Sequence, residues 1–193
     1  MSPNFSRSKR FNAIKYLNAV RILTKEIDNG KNLPEFFYLR GRAYSLLSMN
    51  KKASLDFERA SRLKPESLRY KKTLAASLLI SEDYQNCLEI LESCPDTPSF
   101  MLIEGACLYK SGRPEEAIKI LDRYLALKPW DSAGQYQKAR CLMALERFSE
   151  AEAGFRKSLR LGGDAVEGLT WLALSTVARE REDSGISDMP LAA

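Results

Sequence analysis

The chain has 193 residues, 45% apolar and 28% charged, which fits one ordinary folded domain with a sizeable core. It has no histidine, so the commonest general base and the commonest zinc ligand are missing. The net charge of +5 sits at one end: residues 1–31 hold seven basic and two acidic side chains, and the rest balances.

Apolar runs such as Leu78–Ile80 are too short to cross a bilayer, and no apolar segment of signal-peptide length follows the first basic residues. The first 25 residues lack acids and share that composition with mitochondrial transit peptides, but their helical pattern fits the recurrence described below. The cysteines Cys87, Cys94, Cys107 and Cys141 form no Cys-x-x-Cys pair, which leaves a zinc or thioredoxin-like site without support. A reducing, cytoplasmic setting is expected, with no cofactor and no metal.

Residues 1–10, with Pro3, read as a loose basic tail. From Phe11 to Asp28 apolar residues recur at helical spacing, and Asn29-Gly30 ends that helix with residues that tolerate a left-handed cap. Pro34 suits the first turn of a helix over about 34–48, and a second helix follows over about 51–63 until Pro65 stops it. Between them stand Gly41, Tyr44, Ala53, Phe57 and Ala60: small residues where two helices touch and aromatics where a gap needs filling.

The pattern then recurs. Ala75, Leu78, Cys87, Leu91 and Cys94 follow one period of 34 later. Gly105 comes only 30 residues after Ala75, because Cys94-Pro95-Asp96 cuts a helix early, and a local change of stacking is expected there. Pro98 opens a third unit, with Thr97 as its helix cap, marked by Gly105, Leu108, Gly112, Ala117, Leu121 and Pro129. The fourth carries Ala139, Leu142, Ala151, Phe155 and Ser158, and ends at Gly162-Gly163. Asp164 can cap a last helix, in which Ala173 continues the spacing. Its polar end, Arg179 to Asp183, reads as the solvated cap that a stacked array needs.

These positions resemble the tetratricopeptide repeat, a helix–turn–helix unit of 34 residues. The resemblance implies an all-α fold, a right-handed α-solenoid of about ten helices. Its expected division is a disordered basic tail over 1–10, a half repeat over 11–29, repeats over 34–67, 68–97, 98–131 and 132–163, a capping helix over 164–182, and a disordered tail over 183–193.

No pattern offers an enzyme site. Glu115-Glu116 and Glu150/Glu152 stand at helix starts, where carboxylates favour the positive end of the helix dipole. No nucleophile stands beside a base, and no glycine-rich phosphate loop follows a strand. The cysteines replace alanines at packing positions. The expected activity is therefore non-catalytic.

In the resembled family the first helix of each repeat lines a groove that takes a segment of a partner protein. Carried over, its groove-facing places fall on Tyr38 and Arg42, on Arg69, Lys72 and Leu79, on Leu102 and Tyr109, and on Tyr136, Arg140 and Met143. This implies a basic zone from Arg42, Arg69 and Lys72, and an apolar–aromatic zone from Leu79, Leu102, Tyr109, Tyr136 and Met143. The lysine–asparagine clamp by which some members hold chaperone C-termini is absent: Tyr38, Arg42, Thr73, Ser99 and Ile103 stand in its places. The expected function is an adaptor that binds a partly acidic, partly apolar protein segment, with no nucleic acid and no membrane. A structural subunit of a larger assembly and a secretion-type chaperone are the alternatives. An RNA-binding helical repeat fits less well, because the charge of the body is neutral.

Overall fold

In the computed structural model the described residues are 3–184, with side chains from Ala13 onward. Among them there are ten helices and no strand: α1 (Pro3–Asp28), α2 (Pro34–Leu46), α3 (Asn50–Leu63), α4 (Leu68–Ile80), α5 (Tyr84–Glu92), α6 (Pro98–Lys110), α7 (Pro114–Leu127), α8 (Ser132–Ala144), α9 (Phe148–Arg160) and α10 (Ala165–Ser184). The fold is an all-α helical repeat. The chain forms two compact units, Met1–Cys94 and Pro95–Ala193, divided where the short α5 gives way to Pro95.

The helix boundaries follow from the local chemistry. Pro34, Pro98 and Pro114 each stand at a helix start, where the missing N–H is not needed. Asp131 accepts from the Gly134 N–H at 2.7 Å to cap α8, and Asp164 accepts from Glu167 N–H at 2.8 Å ahead of α10. Thr97 occupies the cap position of α6, but its hydroxyl meets the Ser99 hydroxyl instead of a backbone N–H. The turn between α6 and α7 places Gly112 at φ +78°, a left-handed conformation that suits glycine. The equivalent turns put Ser48, Glu82 and Glu146 at φ 57–62°, where a side chain is strained.

In the first unit α3 packs between α2 and α4. Phe37, Tyr38, Ala53, Phe57, Ala60, Tyr70 and Leu74 form its core. Gly41 lets α2 approach α3 at Phe57. Beside that contact Arg40 donates two hydrogen bonds to the Asp56 carboxylate, at 2.8 and 2.7 Å, and one to the Thr24 hydroxyl at 3.2 Å. This buried pair ties α1, α2 and α3 together.

In the second unit Gly105 meets Leu121, and Ala139, Leu142, Ala151 and Phe155 make a further core. Cys87, Cys107 and Cys141 are fully buried packing residues, and burial pushes the Cys141 thiol up to about 12.

Three expectations change. The tail expected over 1–10 is helical from Pro3, since proline is tolerated in a first turn and no breaker follows until Asn29. Glu152 does not serve a helix dipole; it is buried and accepts from Arg156 at 2.6 Å and from Arg179 at 2.9 Å, joining α9 to α10. Ala173 is exposed, and no described helix covers it. The same 34-residue spacing also puts Ser175 in the place of Cys141, and it is fully buried like that cysteine. Of the C-terminal tail expected over 183–193, residues 185–193 lie outside the described residues; Asp183 and Ser184 belong to α10.

Candidate functional site

The ten side chains expected on the groove divide equally between the two units. In the first, Tyr38 and Arg42 stand one turn apart on α2, and Arg69, Lys72 and Leu79 lie on α4. Tyr38 is only 8% exposed; its ring packs 6.0 Å from Phe57 and 5.2 Å from Tyr70. The guanidinium of Arg69 stands 4.5 Å from the Tyr38 ring centre and that of Arg42 5.9 Å. Both arginines are exposed, as is Lys72, so α2 and α4 present a tyrosine floor under cationic side chains. Tyr38, Arg42, Ser45, Thr73, Ala76 and Ile80 help to line a cleft of ≈ 250 Å³. Leu79 is half-buried and does not line it.

In the second unit the layering is reversed. Arg140 of α8 lies among aromatic rings, its guanidinium 4.6 Å from Tyr109, 5.8 Å from Tyr136 and 5.6 Å from Trp171. Its Nε is buried with no hydrogen-bond partner. Tyr136 stands edge-on to Phe155 at 5.7 Å, and Trp171 stacks on Phe155 at 6.0 Å. The Tyr136 hydroxyl donates to the Glu167 carboxylate at 2.8 Å. Burial pushes the Tyr136 phenol up to about 12; the bond to Glu167 adds to this and the Arg140 charge opposes it. Met143 packs against the same core, and Leu102 is half-buried on α6.

Sequence reasoning missed Trp171. The groove places extend through four repeats, but the spacing continues into α10, and a large aromatic in that helix was the available signal. The arginine–tyrosine stacks were not foreseen either, although each arginine and tyrosine was named.

Comparison with known proteins fits this geometry. Residues 107–165, which run from the end of α6 through α9, match the family model described as tetratricopeptide repeat. A search of curated proteins gave no match. Among solved structures, MamA residues 41 to the end from Desulfovibrio magneticus RS-1 superposes with a TM-score of 0.69 at 20% identity, covering 81% of this chain and 94% of that one. TTC0263, a thermophilic TPR protein of Thermus thermophilus, superposes at 0.66 with 17% identity over 84% and 91% of the two chains. The Cut9–Hcn1 hetero-tetramer of the APC/C gives 0.72 at 15% identity; 89% of this chain is covered but only 35% of that one. Residues 107–165 thus carry tetratricopeptide-repeat sequence, and the chain shares the helical-repeat fold of these proteins along most of its length.

Proposed function

We propose that the chain is a non-catalytic scaffold that holds a segment of a partner protein on the first helices of its repeats. Tetratricopeptide-repeat proteins are generally non-catalytic scaffolds, and one of the similar structures is the APC/C hetero-tetramer Cut9–Hcn1. The observation that carries the reading is Arg140. A guanidinium flanked by three rings, with a buried Nε lacking a partner, is costly to maintain for packing alone, since an unsatisfied buried polar group costs about 1–3 kcal/mol. A carboxylate or carbonyl oxygen of a bound segment would relieve it. Acidic groups of the segment would meet Arg42, Arg69 and Lys72, while bulky apolar ones would meet Leu102, Tyr109, Tyr136 and Met143. Among the described residues no helix is long and apolar enough to cross a membrane, and a cytoplasmic location forms part of the proposal.

The test is kinetic binding of a co-purifying partner. Tyr109→Ala and Tyr136→Ala should speed dissociation, because an aromatic anchor can contribute about 2 kcal/mol or more. Charge reversal at Arg69 and Lys72 should slow association and flatten its dependence on salt. Leu55→Ala, on α3 away from these positions, is the control.

A second reading rests on that control position. Leu55, Leu74, Leu78 and Ile90 help to line a cleft of ≈ 550 Å³ that includes residues of both α3 and α5, with Leu55 66% exposed. If the variants on first helices bind normally while Leu55→Ala fails, docking through second helices as an assembly subunit replaces the first reading.

A further inference from the structure

Among the described residues, the first and last helices each lack one neighbour that their equivalents have. In complete repeats α2 is covered by α3, and α8 by α9. Position 139 of α8 is fully buried by that arrangement; its equivalent on α10, Ala173, is exposed. Around Ala173 runs an apolar stripe: Val166 is 78% exposed, Leu169 57% and Val177 42%. The spacings of 3, 4 and 4 residues put these side chains on one face of α10. It is the face on which the earlier first helices receive their second helix. At the other end α1 takes the place of a second helix and packs chiefly on α2, whereas α3 has a first helix on either side. The α1 counterparts of Asp56 and Phe57 are Ile22 and Leu23. Ile22 is 57% exposed.

We propose that α10 of one copy receives α1 of a second copy as its missing second helix, so that two half repeats combine into a complete one. Three features favour this occupant. First, the small-against-large pairing is kept: Ala173 would face Leu23 as Gly41 faces Phe57 and as Gly105 faces Leu121. Second, the neighbouring pair is compatible: where a complete repeat joins Arg40 to Asp56, the composite would set Leu172 beside Ile22, two apolar side chains and no orphaned charge. Third, the charges are complementary. Residues 1–31 carry seven basic and two acidic side chains, and residues 164–193 carry two basic and six acidic ones. The helices of a repeat run antiparallel, so Glu180, beyond the stripe, would come beside Lys15 of α1. The contact joins two different surfaces, so it is heterologous: each copy keeps one free end, and association continues until a ring closes or the array runs on. The inference is independent of the partner segment proposed above.

Sedimentation equilibrium of the full chain tests it. One helix pair is a small interface, so association is expected at about 10–100 µM. The mean mass of the wild type should rise through that range beyond that of a dimer. Ala173→Arg and Ile22→Arg change exposed positions on the two faces, so both should keep the helical spectrum and melting temperature of the wild type. Each alone should stay monomeric. Mixed in equal amounts they should form a dimer and stop there, because the first variant retains an intact α1 and the second an intact α10. A wild type that remains monomeric overturns the proposal. So does a single variant that still associates, or a mixture that does not pair. If the wild type is monomeric and Leu169→Arg lowers its melting temperature, a segment of the same chain covers the stripe.

Discussion

At the contact of α2 with α3, a Cβ on Gly41 would stand 2.8 Å from the Phe57 ring and 3.1 Å from Asp56 Cβ. At the equivalent contact of α8 with α9 the first helix carries Ala139, and the Cβ is missing from the second helix instead: one placed on Gly154 would stand 2.9 Å from Ala139 Cβ. Gly154 is the counterpart of Asp56, and Ala139 of Gly41. The two contacts therefore meet one steric limit from opposite sides, since there is room for a single side chain. Where the first helix yields it, the second helix has space for Asp56, and the buried ion pair with Arg40 becomes possible. Where the second helix yields it, no carboxylate can stand there, and the contact rests on Phe155 packed against Tyr136 and Trp171.

The largest way to break this comparison is to remove the dominant group from each side. Phe155 is fully buried, so Phe155→Ala is expected to cost about 3–5 kcal/mol in urea unfolding. Asp56→Ala leaves Arg40 without its carboxylate and is expected to cost about 3 kcal/mol. The double change Arg40→Met with Asp56→Leu should recover much of that loss, because the charge is then no longer stranded. No recovery would mean that the pair is not what closes α2 on α3.

Next comes the Cβ itself. Gly41→Leu is expected to cost about 2–4 kcal/mol by overpacking against Phe57. Gly154→Ala should cost less, because the gain of about 1 kcal/mol in helix propensity offsets the crowding. Adding Ala139→Gly to it recreates the first-unit arrangement in the second, and the two changes should be clearly non-additive. Simple additivity would deny that they share one space.

How much of this could be seen in the sequence depends on whether a neighbour decides the outcome. The repeating small and large residues, the prolines at helix starts and Gly112 at its turn are each local, and they were legible. Asp56 was not, although a charged residue among Ala53, Phe57 and Ala60 was a signal: whether such a residue is a solvated rim or a buried partner depends on Arg40, sixteen positions away. Glu152 was misjudged for the same reason, because Arg179 lies on another helix. The expected inner-wall residues could be named from their places in the repeat. Their depth could not, since Tyr38 beneath two arginines and Arg140 among three rings contain the same residue types in reverse order.

The smallest expected effect concerns the turns within repeats. Gly112 holds its left-handed φ without strain, while Ser48, Glu82 and Glu146 hold theirs with a side chain. Replacing any one of the three by glycine should raise stability by about 0.5–1 kcal/mol, read as a higher urea midpoint with an unchanged slope. A lower midpoint at all three would show that their side chains contribute more than the backbone strain costs.

The stack around Arg140 also gives the molecule an optical reporter. The chain has two tryptophans. Trp130 is 77% exposed, so its emission is that of an indole in water. Trp171 is half-buried, stacked on Phe155 and 5.6 Å from the Arg140 guanidinium. In a Trp130→Phe variant the remaining fluorescence arises beside the charge proposed to meet a ligand oxygen. Its wavelength and intensity then follow occupancy of that spot directly, without a label and before the partner has a name.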